Sequence, residues 1–192
     1  METRENQRIE LTKRLLKESP LELLQKKDID KISVRELCEK AGINRTTFYR
    51  HYGCPHDVLT QIEDDLIAGI PTLNSVRDLS SRELFLKQSC MFWEYREDHR
   101  DLARILLMNE STESGFARKL FNMPVMDQAI STAVRQDYDE TTSHLILVFL
   151  KSGAYNLLKE WTVCDLPNTP EEMGQLVLDL VLESGWIKRS LK

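Results

Sequence analysis

Glycine is scarce, seven in 192 residues, and nowhere does the chain alternate apolar and polar positions as a strand would. A sheet protein of this size needs many tight turns, so the scarcity excludes most β architectures and leaves an all-α fold. No apolar run approaches the ~18 residues that a membrane span requires, and no apolar signal segment opens the chain. The four cysteines, Cys38, Cys54, Cys90 and Cys164, are dispersed and form no C-x-x-C pair, which argues for a reducing cytoplasm rather than a disulfide framework. His51, Cys54 and His56 lie close in sequence, but a fourth ligand is not evident and no metal is assigned. Neither a glycine-rich phosphate loop, a Ser, His and Asp set nor paired catalytic carboxylates can be found. The reading is therefore of a non-enzymatic protein without a cofactor.

What is present is concentrated between Ser33 and Tyr52, SVRELCEKAGINRTTFYRHY. Ser33 and Glu36 have the spacing of a capping box, so a helix is predicted from Val34. Val34, Leu37, Cys38 and Ala41 recur on one face, and Gly42 can end the helix in the left-handed conformation. Asn44 is a favoured cap for a second helix running Arg45 to Tyr52, with Phe48 and Tyr52 as its buried pair. Its other face carries Arg45, Thr46, Thr47, Tyr49, Arg50 and His51 without one carboxylate. That is the side-chain chemistry of a helix-turn-helix reading double-stranded DNA. Arg45 suits guanine O6 and N7, a Thr46 or Thr47 methyl suits a thymine methyl, and Tyr49 and His51 suit phosphates.

Charge distribution agrees. The net charge is −5, yet residues 26–56 hold seven basic and four acidic side chains, a local +3 that leaves −8 for the rest. A basic head on an acidic body fits a small DNA-reading face on a molecule that DNA otherwise does not touch.

The segment 30–59, DKISVRELCEKAGINRTTFYRHYGCPHDVL, resembles the DNA-binding domain of the TetR/AcrR family of bacterial transcriptional regulators, most clearly in Ser33-Val34-Arg35, Ala41-Gly42-Ile43 and Thr47 to Tyr52. The resemblance implies a three-helix helix-turn-helix head (1–53) and no enzymatic activity. It also implies a helical-bundle body (54–192) that dimerises and binds a ligand, with a helix at 54–70 linking the two. It places Arg35, Arg45, Thr46, Thr47, Tyr49 and His51 at the family's DNA-contacting positions. One departure is Pro55, where the family usually has lysine; proline offers neither the charge nor the amide for the phosphate contact expected there.

In the remainder, a first helix is expected over 5–27, with a kink or break near Glu18 to Pro20. Further helices are expected from Ser81 to Asn109, divided near His99 to Asp101, and over 115–121 and 125–137. The stretch 142–163 is apolar on all sides, as a helix buried on all sides would be, and a last helix is capped by Thr169, Pro170 and Glu172. Leu145, Phe149, Tyr155, Trp161, Leu176 and Leu180 are the expected surface of a homodimeric four-helix contact. Met91, Trp93, Tyr95, Met108, Phe116, Met123 and Tyr155 offer surface for a small apolar or aromatic effector, although residues of these types at helical spacing are more often plain core. The functional expectation is a cytoplasmic, homodimeric repressor that binds an operator and is released by an effector. The alternative is a TetR-like protein-interaction module that has lost DNA reading.

Overall fold

The computed structural model describes residues 2–71, 82–109, 115–123 and 138–180. Every regular element among them is helical, as expected. The chain divides into two compact units, Met1–Ile67 and Ala68–Lys192. The first extends past the expected limit at residue 53 and takes in most of the helix that begins at Pro55.

The N-terminal unit contains α1 (Glu2–Leu24), a single 3-10 turn (Ile29–Lys31), α2 (Val34–Ala41), α3 (Arg45–Tyr49) and α4 (Pro55–Ala68). Of the kink or break expected near Pro20, the break does not occur, because α1 runs through the proline and stops at Leu24. A proline inside a helix costs about 3 kcal/mol. Leu16 and Leu24 are fully buried on the same helix, and each contributes about 1.5 to 3 kcal/mol, enough to offset that cost. The Ser19 hydroxyl also donates to the Leu15 carbonyl at 2.6 Å, one residue before the missing amide. The core of the unit is completed by Ile29, Ile32, Leu37, Cys38, Phe48, Val58 and Ile62.

The C-terminal unit contains α5 (Arg82–Asp98), α6 (Arg100–Met108), α7 (Phe116–Phe121), α8 (Glu140–Val163) and α9 (Pro170–Leu178). The expected division near His99 is present, and the His99 ring nitrogen Nδ1 lies 2.8 Å from the Tyr95 carbonyl. α8 starts two residues earlier than expected, because Asp139 caps it by accepting from the Thr142 amide at 3.0 Å. The capping box at Thr169 and Glu172 is formed. The helix expected over 125–137 lies outside the described residues. Trp93 of α5 meets Trp161 of α8 edge to face at 5.0 Å, and the Trp161 indole N–H donates to the Asn168 carbonyl at 3.0 Å. α9 packs on α5 closely enough that a Cβ on Gly174 would stand 2.7 Å from Cys90 Sγ and 3.2 Å from the Cys90 amide nitrogen.

That approach makes Gly174 a sensitive position. Gly174→Ala should separate α5 from α9 and destabilise the C-terminal unit by about 1 to 3 kcal/mol, the usual cost of overpacking. Urea denaturation followed by tryptophan fluorescence measures this; an unchanged midpoint would refute the close packing.

Candidate nucleic-acid interface

The segment from Ser33 to Tyr52 is assembled by three backbone devices. At Ser33 the capping box is complete, since the Ser33 hydroxyl accepts from the Glu36 amide and the Glu36 carboxylate accepts from the Ser33 amide at 2.9 Å. Gly42 ends α2 at φ +66°, and its amide donates to the Cys38 carbonyl. A side chain would be strained at that φ although no atom lies within 4 Å of a Cβ there, so the requirement is conformational rather than steric. Asn44 then caps α3, with its Oδ1 accepting from the Thr47 amide at 2.7 Å.

α3 is shorter than the sequence pattern suggests. It ends at Tyr49, and Arg50 and His51 lie in the turn that follows. Phe48 is fully buried and Tyr52 nearly so, their ring centroids 6.0 Å apart. This pair anchors the helix and turns its other flank outward. Arg45, Thr46, Tyr49 and Arg50 are exposed, Tyr49 to 59%, while Thr47 and His51 are half-buried.

Ion pairing separates this flank from the rest of the unit. Lys17 pairs with Asp65, Lys27 with Glu36 and Lys40 with Glu22. Lys31 pairs with Asp28 at 2.9 Å and Arg14 with Glu18 at 3.0 Å, and His56 Nε2 lies 3.0 Å from Asp30. Arg35 on α2 is exposed and held by Glu39 at 2.6 Å, so a phosphate would have to compete for it. Among the described residues, Arg45 and Arg50 have no carboxylate within ion-pair reach. The uncompensated positive charge of α3 and its turn therefore lies on the flank that carries no acid.

At α4 the loop amides are already occupied. Asp57 Oδ2 accepts from the Gly53 amide at 2.7 Å and from the Cys54 amide at 3.1 Å, and these bonds keep its carboxyl below the usual carboxylate range. The fourth residue of Cys54-Pro55-His56-Asp57 is thus a capping acid, a role legible in its spacing but not anticipated. Pro55 stands at the start of α4, as the chemistry of a first helical position allows.

Trp161, expected at a dimer surface, is instead 1% exposed and belongs to the core of its own unit. Tyr155 is half-buried, with the Lys159 ammonium 5.8 Å from its ring centre. Leu145, Phe149, Leu176 and Leu180 are exposed, Leu145 to 62% and Phe149 to 63%. Of the residues expected around an effector, Trp93 and Phe116 are buried, Met91, Tyr95, Met123 and Tyr155 are half-buried, and Met108 is 62% exposed on α6. Their ring contacts are with other residues: Trp93 meets Phe92 and Trp161, and Tyr95 meets His99.

Residues 20–53 match the family model described as bacterial regulatory proteins, tetR family. The chain is 22% identical over 170 residues to the uncharacterized HTH-type transcriptional regulator YxbF of Bacillus subtilis (strain 168), a match covering 86% of this chain and 43% of that protein. It therefore spans less than half the length of that curated relative. A TetR transcriptional regulator from Streptococcus agalactiae 2603V has a similar structure, with TM-score 0.71 and 22% identity over 94% of this chain and 99% of that one. The dihydroxyacetone kinase operon activator DhaS is similar at TM-score 0.60 and 16% identity, covering 94% and 98% of the two chains. Both structures share the fold.

Glu36 gives the cap a pH signature. The Lys27 ammonium, followed by the Ser33 amide and hydroxyl, lowers its pKa from 4.5 to about 2. Because the folded value is depressed, the stabilisation is fully present above pH 4.5 and is lost as pH falls toward 2. Glu36→Gln keeps a capping acceptor but not the ion pair. Its Tm should lie below that of the wild type at pH 6, with the gap closing on acidification through this window; a constant gap would contradict the assignment.

Proposed function

We propose that this member of the TetR family of bacterial regulatory proteins is a sequence-specific DNA-binding regulator, not an enzyme, acting in the cytoplasm as a homodimeric repressor that a small apolar or aromatic molecule releases. One observation carries the DNA reading. The cations flanking α3 are held by the unit's own carboxylates, whereas Arg45 and Arg50 face outward with none. Phosphate binding releases counterions and supplies affinity, while contacts to base edges supply preference. The roles proposed are base reading for Arg45, Thr46 and Thr47, and phosphate contact for Arg35, Tyr49, Arg50 and His51.

Dimerisation follows from geometry on the DNA and from apolar surface on the body. A five-residue α3 reads few base pairs, but two of them related by a twofold axis can occupy half-sites about 34 to 36 Å apart. Leu145, Val148 and Phe149 form an exposed stripe along α8, and Leu176 and Leu180 are exposed near the end of the described chain. A self-complementary contact through these side chains would remove them from water. Occupying an operator blocks access to it, which makes repression the simplest outcome. Release by an effector requires the effector to bind more tightly to the dimer whose head spacing does not fit DNA.

A second reading has its own support. The Asp57 carboxylate occupies the loop amides, and Pro55 offers neither charge nor N–H. Both reduce phosphate binding at the start of α4, as a protein-interaction module that no longer reads DNA would permit. Selection of bound fragments from a genomic or random DNA pool separates the two readings. The regulator should enrich one sequence, with an affinity whose log-log salt dependence reflects several phosphates; the module should enrich none.

With such an operator, Arg45→Ala should lower discrimination against random DNA by about 1 to 3 kcal/mol. His51→Ala should weaken operator and random DNA alike. Fluorescence anisotropy on both DNAs tests this, and equal loss of discrimination from the two changes would refute the division of roles. Phe149→Glu should convert the dimer to a folded monomer in sedimentation velocity and abolish operator binding at concentrations where the wild type is bound. An unaltered sedimentation coefficient would place the dimer contact elsewhere.

A further inference from the structure

Arg96 sits in the last turn of α5 and is 4% exposed. Its guanidinium carbon lies 3.2 Å from the centre of the Trp161 ring, so one face of the cation is covered by indole. Its Nε, Nη1 and Nη2 are all buried without a hydrogen-bond partner. Guanidinium is a rigid fork of five N–H donors, and leaving it dry and unbonded is unfavourable. Native buried charges are ordinarily paired and hydrogen-bonded.

Glu97 does not supply the missing acceptor. Its Oε2 is 3.1 Å from Arg96 Nη1, but the two are not oriented to share a hydrogen bond. Adjacent residues on a helix diverge around its axis, so a carboxylate at the next position cannot enter the guanidinium plane squarely. Glu97 is also drawn toward Arg100, whose Nη1 lies 3.5 Å from its other oxygen, and Arg100 pairs in turn with Asp165. Four of the six unsatisfied buried side-chain atoms among the described residues belong to Arg96 and Glu97. Burial pushes the Arg96 pKa down to about 10, which leaves it charged at neutral pH.

We propose that Arg96 is the anchor for the carboxylate of a small-molecule effector, which forms the paired, in-plane hydrogen bonds that no side chain among the described residues provides. The inference rests on the reading of this unit as an effector domain and names the chemical class of the effector. A carboxylate matches the planar fork in geometry and carries one negative charge. A phosphate with nearly two charges would be repelled more strongly by Glu97 and by the acidic body. The apolar and aromatic side chains of α5 and α8 suit a hydrocarbon or aromatic remainder.

The test is thermal unfolding of the full chain with benzoate, octanoate and succinate, each compared with its amide and with inorganic phosphate at equal ionic strength. At least one carboxylate should raise the wild-type Tm, by about 5 to 10 °C at a hundredfold excess over its Kd, and should alter tryptophan emission through Trp161, while its amide does neither. Arg96→Met should remove the response and leave the ligand-free Tm equal to or above that of the wild type, since an apolar side chain of similar volume relieves a buried guanidinium whose hydrogen bonds are unmade. Arg96→Lys, which keeps the charge but not the fork, should weaken the response at least tenfold in Kd. The proposal is overturned if no carboxylate acts, if Arg96→Met responds as the wild type does, or if phosphate alone acts. A ligand-free Tm several degrees lower in Arg96→Met would also overturn it, by making Arg96 a core residue. None of these measurements uses DNA, so failure of the regulator reading would appear separately, in the fragment selection.

Discussion

A helix of five residues cannot hold itself together, and the architecture of the head follows from that constraint. Nucleation fixes several dihedral angles for very few hydrogen bonds, so α3 exists only because its ends and its inner face are held from outside. Asn44 takes one of the amides at its start, Gly42 sets the direction from which the chain arrives, and Phe48 inserts into the core. The orientation of Arg45, Thr46 and Tyr49 is thereby tied to the packing of the head rather than to any property of α3 itself. A loss of core packing would misdirect these side chains before it unfolded the domain.

Electrostatics builds on that framework. With so many cations in a small unit, unpaired lysines would form a diffuse positive surface attracted to any polyanion. Intramolecular carboxylates hold Lys17, Lys27, Lys31, Arg35 and Lys40, whereas Arg45 and Arg50 of α3 and its turn keep their charge uncompensated. Exposed pairs of this kind contribute little stability, often less than about 1 kcal/mol each. Their larger effect is on where an incoming anion meets uncompensated charge.

The head was legible in its sequence because its determinants are local. Ser33 with Glu36, Gly42, and Asn44 with Thr47 each act across three or four residues, and the structure forms all three devices as their spacing suggests. Pro20 does not break α1, because tertiary burial of Leu16 and Leu24, which a propensity rule omits, offsets the proline's cost. The length of α3 was overestimated because Phe48 and Tyr52 are four apart whether the chain between them is helix or turn. In the body the pattern identified α8 but not its sides: Trp161 points inward while Leu145 and Phe149 point outward, and an all-round apolar helix gives no phase from which to tell them apart. Arg96 left no trace in sequence, since a lone arginine among aromatic residues on a helix is ordinarily a solvated one.

The inward side of α8 also bears on how a signal could leave the C-terminal unit. Trp161 touches Trp93 at its edge, Arg96 over its face and the Asn168 carbonyl through its N–H, so it joins α5, α8 and the loop before α9. A well-packed interior does not deform continuously, and a change at one such contact favours one discrete arrangement over another. Leu145 and Phe149 lie on the same 24-residue helix as Trp161. A rigid helix transmits a rotation or shift of its inner end to its outer surface, so an event at Arg96 and the dimer contact proposed along α8 share a mechanical element. Energetic coupling between them then requires only that the two arrangements of α8 differ in how well they pair the guanidinium with an anion.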